Sequence, residues 1–366
     1  MRHSEHAPGS AALALHARVA DLAPAELNRA LVVDKTLLQV WSTRAAPYII
    51  PTRDAAVFTA GLLPETEAAL RFFMGGADAH LNLFGMCAAE LIERVAAALP
   101  AILDGRELTK DELGIALARQ LGRDGVARNE PLWNTPDGYG NNRYGETLVR
   151  FALSVVALRG LFCIAPRRGN VTTFLRMDQW LGRPLPPADR AQARAELVRR
   201  YLQYYGPSTA GHFAAWAGIA PAQAAQAWRL VEDELVEVAV DGHNAWLLRC
   251  DLPRLIAPEA ARGARLLPSH DPYVLLRDRT TLISNRALHR HLWRASGNPG
   301  VVLLDGQAIA LWRPRKQGKR LGLAIECFRD VPPSGRDQIK VEAATLAPFR
   351  DCTAVEIAFA QAGHAG

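Results

Sequence analysis

Two arginines and an asparagine lie close together in the segment Pro166-Arg167-Arg168-Gly169-Asn170, between two runs of strand-forming residues. Arg and Asn side chains contact phosphates and base edges, and a two-stranded ribbon can enter a groove of duplex DNA. We therefore predict that Arg167, Arg168 and Asn170 contact DNA from the tip of a β-hairpin. The alternative is a hairpin tip that is polar only because it faces solvent.

The segment from Arg313 to Arg320 forms a second concentration of positive charge, and we expect it to be a turn between two strands. Its five basic residues are Arg313, Arg315, Lys316, Lys319 and Arg320. Each Lys or Arg that neutralises a phosphate makes DNA binding more dependent on salt. The segment is therefore predicted to bind the DNA backbone, with a solubilising loop as the alternative.

A third candidate is the polar group His270, Asp271 and Tyr273, which follows the apolar residues Leu266 and Leu267. A carboxylate and an imidazole at the end of a strand can form a polar site. Asp before Pro also commonly begins a turn, so a capped turn is the alternative.

Composition limits the chemistry that the chain can perform. Its 366 residues are 49% hydrophobic and 22% charged, which is typical of soluble globular proteins, and the net charge of +6 suits a polyanionic partner. The five cysteines are scattered singly, and neither a His-Glu-x-x-His motif nor a phosphate-binding loop is present. We expect no metal, no cofactor, no disulfide framework and no membrane span. The predicted location is the cytoplasm, in association with the nucleoid, and a monomer is favoured.

The candidate residues depend on a repeated pattern of amphipathic helices followed by a short hairpin. The first copy has a predicted helix from Pro24 to Val32 and strands at Leu37–Thr43 and Tyr48–Pro51. The second has helices from Thr109, in a capping box with Glu112, to Leu121 and from Gly145 to Leu158. Its strands are Gly160–Ala165 and Val171–Arg176, on either side of the Arg167 turn.

The third copy follows the winged helix-turn-helix order most closely. Its predicted helices are Asp189–Tyr205, Ala210–Ala217 with Ser208 as cap, and Pro221–Leu235, and its strands are Val236–Val240 and Ala245–Arg249. The helix in the recognition position offers only Gln223, Gln226 and Arg229 for base contacts. This copy is therefore expected to support the structure rather than to recognise bases.

The last hundred residues have a different pattern. The predicted strands Val301–Leu304, Ala308–Trp312 and Leu321–Phe328 form a β-meander, and a helix at Arg336–Leu346 and a strand at Val355–Phe359 complete a small domain. The expected fold is α+β, with tandem winged helix-turn-helix units before this C-terminal domain. The expected boundaries are 1–100, 101–188 and 189–255 for the three units, 256–264 for a linker and 265–366 for the last domain.

Several of these segments occur in the same order in a known family. They are Leu31–Pro51 with Trp41 and Arg44, Leu158–Gly182 with the sequence LRGLFCIAPRRGNVTTFLRMDQWLG, Arg199–Gly218, Leu267–Tyr273 and Val302–Trp312. Over nearly its whole length the chain resembles the bacterial winged-helix DNA-binding proteins that include the AlkZ-type DNA glycosylases and their YcaQ-like relatives. The resemblance implies tandem winged helices around a duplex, a hairpin in the minor groove, and excision of alkylated bases without metal or cofactor.

The sequence departs from this family at two places. The family's Gln-x-Gln or Gln-x-Asp motif, which lies beside the lesion, corresponds to Ser4-Glu5-His6 here, and no glutamine precedes Gln39. Glu5 and His6 are therefore the catalytic candidates, since both can activate a water molecule. The family's Gly-Thr-Leu-His run corresponds to Ala45-Ala46-Pro47-Tyr48, so only Trp41 and Arg44 match there, and Arg44 is a predicted DNA contact.

Two functional hypotheses follow from the sequence. The first is a repair protein that binds double-stranded DNA by its shape and excises alkylated bases. The second is a non-catalytic transcriptional regulator with the same winged helices, which the missing glutamine motif favours. A protein-interaction module is a third interpretation, but it leaves the basic segment Arg313 to Arg320 unexplained.

Overall fold

The computed structural model describes residues 3–4, 9–125, 129–138, 140–167, 171–275, 279–294 and 297–361. These residues form two compact units. Unit 1 lies within Asp34–Leu252, and unit 2 combines Arg2–Val33 with Pro253–Gly366. The start of the chain therefore belongs with its end, whereas the sequence pattern groups it with the first hairpin. The predicted boundaries within unit 1 stay predictions.

Unit 1 is mainly helical and has one large apolar core, which includes Ile92, Leu117, Leu153 and Phe213. Its helices are α3 (Ala55–Phe58), α4 (Glu67–Met74), α5 (Asp78–Phe84), α6 (Ala88–Ile102), α7 (Lys110–Arg123), α8 (Glu130–Trp133), α9 (Tyr144–Ala157), α10 (Met177–Leu181), α11 (Arg190–Tyr205), α12 (Ala210–Ala217) and α13 (Pro221–Arg229). Its strands are β2 (Leu37–Trp41), β3 (Pro47–Pro51), β4 (Leu108–Thr109), β5 (Phe162–Ile164), β6 (Thr173–Arg176), β7 (Leu235–Val240) and β8 (His243–Leu248).

The strands of unit 1 form hairpins beside the helices, as the repeated pattern predicts. Strands β2 and β3 pair antiparallel from Leu37 opposite Pro51 to Trp41 opposite Pro47. Strand β6 lies between β4 and β5 and is antiparallel to both. The β5–β6 hairpin is therefore a ribbon whose loop contains the predicted DNA contacts.

The third copy has the predicted order of three helices and a hairpin, α11 to α13 followed by β7 and β8. Two local expectations are wrong. Helix α13 ends at Arg229, because Leu230 to Glu234 form tight turns that bring Leu235 into the buried start of β7. The cap of α12 is Thr209, whose hydroxyl accepts from the His212 backbone at 3.1 Å, while Ser208 is buried and its hydroxyl lies 2.6 Å from that of Tyr201.

The strands of unit 2 are β1 (His3–Ser4), β9 (Ala264–Leu267), β10 (Gly300–Leu304), β11 (Gln307–Gln317), β12 (Arg320–Cys327) and β13 (Ala354–Gln361). Strands β9 to β13 form one five-stranded sheet in the order β13-β12-β11-β10-β9. The helices of unit 2 are α1 (Ser10–His16), α2 (Pro24–Val32), α15 (Arg279–Leu282), α16 (His289–Leu292) and α17 (Pro333–Ala344), and α14 (Leu252–Ile256) lies at the division between the units.

The sheet is antiparallel from β9 to β12, as a meander requires, and β13 is parallel to β12 after the crossover through α17. Leu13 of α1 is fully buried in the same core as Val302 and Ile325, which explains why the start of the chain belongs to unit 2. The mixed α+β fold class is confirmed. None of the described helices is long and apolar enough to cross a membrane.

Candidate nucleic-acid interface

The β5–β6 ribbon places the predicted hairpin contacts at one end of a small sheet. The Ala165 amide donates to the Thr173 carbonyl at 2.9 Å, which closes the ribbon below its loop. Arg167 is half-buried beyond that bond, and Val171 on the other side is 49% exposed. Arg168 and Asn170 lie outside the described residues. The DNA contacts of the tip stay predictions.

Lys110 lies beside the tip, because Thr109 pairs with Thr173 at the end of β6 that leads into the loop. Its amino group lies 5.6 Å from the centre of the Trp41 ring. Burial lowers the pKa of Lys110, and the positive charge of Arg150 lowers this pKa further. A cation and an aromatic face beside a ribbon loop are groups that bind the phosphates and stack on the bases of nucleic acid.

Aromatic residues of the β5–β6 hairpin hold the Trp41 ring in place. Its ring lies edge-on to Phe174, with centroids 4.9 Å apart, and to Phe162 at 5.9 Å. Edge-to-face packing of this kind favours one orientation of the indole. The residue is thus half-buried in the core of unit 1 and still contacts Lys110.

Arg150 is positioned by a glycine on the neighbouring helix. A Cβ at Gly114 of α7 would lie 2.7 Å from the Arg150 Nε, so a larger residue there would displace this side chain from its present position. The guanidinium also pairs with Asp111 at 3.2 Å and donates to Asn142. Arg150 therefore joins α9 to the first turn of α7, next to Lys110.

Arg44 connects the β2–β3 turn with the third copy. Its backbone is left-handed, with φ of 55°, and its guanidinium donates to the Tyr48 hydroxyl at 3.3 Å. A Cβ at Gly218, which follows α12, would lie 2.5 Å from the Arg44 Cγ. Arg44 is half-buried in this packing, and its contact with DNA stays a prediction.

The exposed polar residues of α13 are few, as expected. Gln223 is buried, and its amide nitrogen donates to the Leu62 carbonyl at 3.0 Å, so it stabilises unit 1. Gln226 and Arg229 are exposed. This helix therefore has little with which to recognise base edges.

The basic segment of unit 2 differs from the expectation of a turn. Strand β11 extends to Gln317, so Arg313, Arg315 and Lys316 lie in a strand, and only Gly318-Lys319 forms the turn between paired residues. The extension arises because Gln317 pairs with Arg320 in an unbroken ladder. The predicted turn is thus the end of a two-stranded ribbon, which we call the basic ribbon.

Carboxylates neutralise most of the basic ribbon. Asp351 lies 2.6 Å from the Lys319 amino group and 3.6 Å from that of Lys316. Glu356 pairs with Arg320 at 3.0 Å, and Glu326 lies 3.4 Å from Arg313. Lys319 and Lys316 lower the pKa of Asp351, so that carboxyl group remains charged. Arg315 is exposed and has no such partner among the residues that the structure describes.

The polar group at the end of β9 includes a buried ion pair. The Asp271 carboxylate accepts two hydrogen bonds from the Arg18 guanidinium, at 2.6 and 2.8 Å, and its side chain is fully buried. It also accepts from the Tyr273 amide at 2.9 Å, which caps a turn. His270 is left-handed, with φ of 60°, and its Nδ1 lies 3.0 Å from the Ser269 hydroxyl. Chemistry at His270, Asp271 and Tyr273 stays a prediction.

A family model supplies the context for these residues. The model described as DNA glycosylase AlkZ-like matches residues 3–349. The chain belongs to the AlkZ-like DNA glycosylase family. Its sequence is 29% identical over 328 residues to a protein of Streptomyces sahachiroi named interstrand DNA cross-link repair glycosylase, a match that covers 86% of this chain and 80% of that protein.

The solved structure of the Streptomyces sahachiroi DNA glycosylase AlkZ has a similar fold. The TM-score is 0.73 with 24% sequence identity, and the match covers 98% of this chain and 91% of that one. The family resemblance stated from the sequence is confirmed. The catalytic candidates Glu5 and His6 lie outside the described residues, so their role stays a prediction.

Sequence reasoning missed Lys110 because the residue appears there only as part of a helix cap. The register of β4 against β6, which brings it to the hairpin loop, joins segments more than sixty residues apart. A signal was available in the capping box at Thr109, since this box fixes the start of α7 at Lys110.

Proposed function

We propose that this protein is a DNA repair glycosylase that binds duplex DNA and excises alkylated bases. The observation that carries the proposal is the family match over residues 3–349 of the chain. The β5–β6 ribbon, with Lys110 and Trp41 beside its loop, supports it, because these groups suit a nucleic acid. We assign duplex DNA as the partner and no metal or cofactor as a requirement.

In this proposal the ribbon loop enters the minor groove of a distorted duplex. Arg167, Arg168 and Asn170 contact phosphates or base edges there, and Lys110 binds a backbone phosphate beside the loop. Because α13 has few exposed polar residues, the protein recognises the shape of the duplex rather than its sequence. The expected binding has weak sequence preference and steep salt dependence.

The reaction in this proposal is hydrolysis of an N-glycosidic bond. The oxygen of a water molecule bonds to C1′ of the deoxyribose, the bond from C1′ to the base nitrogen breaks, and its electron pair leaves with the base. A purine alkylated at the ring nitrogen N3 or N7 carries a positive charge in the duplex and departs as a neutral base. Glu5 or His6 accepts the proton of the attacking water as a general base.

Release of an N-alkylated purine from duplex DNA, measured as abasic-site formation, tests the activity. Arg167→Ala/Arg168→Ala is expected to lose both binding and release. Glu5→Gln/His6→Asn is expected to bind DNA and to lose release. The control Arg119→Ala/Arg123→Ala, at two exposed positions of α7, should keep both. Absence of release by the unaltered chain, with lesion-independent binding intact, would contradict the glycosylase assignment.

A non-catalytic regulator is the second candidate, and the lack of any glutamine before Gln39 favours it. Selection from random duplexes separates the two functions. A recovered palindrome with two half-sites would support the regulator. Preference for methylated or cross-linked duplex would support the repair protein.

A further inference from the structure

Unit 1 has an open cleft that no predicted site includes. Its volume is about 840 Å³, and it lies among the start of β2, the end of β3, α3 and the loop that follows α10. Five basic residues line it: Lys35, Arg53, Arg159, Arg183 and Arg190. Among the described residues, two acidic side chains, Asp34 and Glu93, lie on the same walls.

Two of the five cations have their charge compensated by a carboxylate. Arg159 forms a bidentate ion pair with Glu93, with hydrogen bonds of 2.5 and 2.9 Å, and the Arg190 guanidinium lies 3.6 Å from the Glu65 carboxylate. Glu65 is itself held by Arg194 at 2.9 Å, which lowers the pKa of Glu65 and keeps it charged. These contacts fix the walls of the cleft.

The other three cations have no carboxylate paired with them in the part of the chain that the structure describes. Arg53 and Arg183 are exposed, and neither has a carboxylate within 4.0 Å among the described residues. Lys35 donates to the Trp180 carbonyl, and its amino group lies 4.9 Å from the centre of the Trp180 ring. An uncompensated guanidinium in a concave site attracts anions, because its field is focused by the surrounding protein.

The wall that contains Arg183 is stiff. It continues with Pro184, Pro186 and Pro187, each of which fixes one backbone angle. Leu185 packs on Gly160, where a Cβ would lie 3.0 Å from its Cδ1. A stiff wall reduces the entropy that is lost when Arg183 binds a ligand.

The chemistry of the lining distinguishes a phosphate from a base. None of the lining residues that the structure describes is aromatic, and none is Asn or Gln. Stacking surfaces and side-chain amides are the groups that bind and identify bases. Guanidinium groups instead form paired hydrogen bonds to phosphate oxygens.

The cleft and the hairpin loop lie at opposite ends of the same ribbon. Gly160 lines the cleft and Ala165 begins the loop. The three strand residues of β5, Phe162–Ile164, span roughly 10 Å, since each strand residue advances about 3.3 Å. That distance corresponds to about three base-pair steps at a rise of about 3.4 Å.

We propose that this cleft is a second DNA-binding site of unit 1, in which Arg53 and Arg183 bind phosphates of the DNA backbone. The proposal rests on the proposed function, since it requires a protein that binds DNA. The cleft makes no base contacts, so it adds affinity without adding sequence or lesion preference. Lys35 contributes a further positive charge to the same site.

The salt dependence of duplex binding tests the proposal. Arg53→Gln/Arg183→Gln is compared with Arg119→Gln/Arg123→Gln, which removes the same charge from two exposed positions of α7 outside the cleft. Fluorescence anisotropy of a labelled undamaged duplex is measured over a series of NaCl concentrations. Thermal unfolding shows whether each variant keeps the stability of the unaltered chain.

The slope of log K against log salt is negative. The cleft variant is expected to reduce its magnitude by about 1.8, since each phosphate contact contributes about 0.9. At about 0.1 M salt, the same relation gives a loss of affinity of roughly 60-fold. The preference for alkylated over undamaged duplex should be unchanged. The control variant should keep the slope of the unaltered chain.

Three outcomes would overturn the assignment. Equal slopes for the two variants, with binding by the unaltered chain intact, would mean that the cleft does not contact DNA. Stabilisation of the unaltered chain by inorganic pyrophosphate, with no change of slope in the cleft variant, would identify a site for a small anion instead. Absence of duplex binding by the unaltered chain would remove the proposed function itself.

Discussion

The cleft of unit 1 and the basic ribbon of unit 2 each contain five basic residues, but they differ in the carboxylates beside them. In the ribbon, Asp351, Glu356 and Glu326 lie against four of the five cations. In the cleft, Arg53 and Arg183 have no such neighbour among the described residues. The basic ribbon has its basic residues closer together in the sequence than the cleft does, but more of its positive charge is compensated by carboxylates.

We infer from this difference that a cation is available to a phosphate only where the fold leaves it uncompensated. Surface ion pairs contribute little to stability, so the carboxylates around the basic ribbon mainly change its field. A buried pair is different, because it removes an arginine from solvent and commits it to the fold.

The largest expected effect is on the buried pair of Arg18 and Asp271 in unit 2. Asp271→Asn leaves the Arg18 guanidinium next to a neutral amide in a site where the carboxylate is fully buried. We expect a loss of about 3–5 kcal/mol in the free energy of unfolding, measured by denaturant titration of the full chain. Asp351→Asn is the control, and an equal loss in both would show that burial of the pair does not matter.

The second prediction concerns removal of a carboxylate from beside the basic ribbon, which leaves cations uncompensated there, as in the cleft. Asp351→Asn removes the carboxylate that compensates Lys319 and Lys316, and Asn suits the left-handed backbone there, where φ is 52°. One added phosphate contact should raise duplex affinity roughly eightfold at about 0.1 M salt, measured by fluorescence anisotropy. Unchanged affinity would mean that compensation by Asp351 does not limit the binding of DNA by the basic ribbon.

The third prediction concerns Lys110, whose pKa is lowered from the ordinary 10.5 by burial and by Arg150. Because the folded pKa is depressed, Lys110 loses its positive charge at a lower pH than an ordinary lysine. Duplex affinity should therefore fall as the pH rises through this pKa, by up to roughly eightfold at about 0.1 M salt for one phosphate contact. Lys110→Arg keeps its charge over this range and should abolish the fall, and the same fall in both proteins would contradict a role for Lys110.

Local features of the fold could be predicted from the sequence because neighbouring residues determine them. Helices α2 and α12 begin and end at the expected residues. The capping box of α7 is present, with the Thr109 hydroxyl accepting from the Glu112 amide at 3.2 Å and the Glu112 carboxylate accepting from the Thr109 amide at 2.8 Å. The β5–β6 hairpin follows from its turn residues and flanking strands.

Contacts between distant segments could not be predicted in this way. The cleft combines residues from 34 to 190, and no short segment of the sequence contains enough of them to suggest it. Asp351 compensates Lys319 from 32 positions away, on the loop before β13. Local patterns predict elements and exposed charge, whereas the fold determines which charges remain available.

The smallest expected effect is on an exposed pair of the third copy. Arg199 donates to Glu234 at 2.7 and 2.8 Å, and hydrogen bonding from Arg199 lowers the pKa of Glu234 below its usual 4.5. Both side chains are partly exposed to solvent. Glu234→Gln should therefore reduce the free energy of unfolding by less than about 1 kcal/mol near neutral pH.

The pH dependence of this difference identifies its cause. A depressed carboxyl pKa stabilises the folded state above the unfolded value and ceases to do so as the pH falls through the folded value. The difference between Glu234→Gln and the unaltered chain, measured by denaturant titration, should therefore shrink below about pH 4.5 and in about 1 M salt. A difference that persists under both conditions would mean that Glu234 stabilises the turn before β7 by its packing, and that charge compensation is not its role.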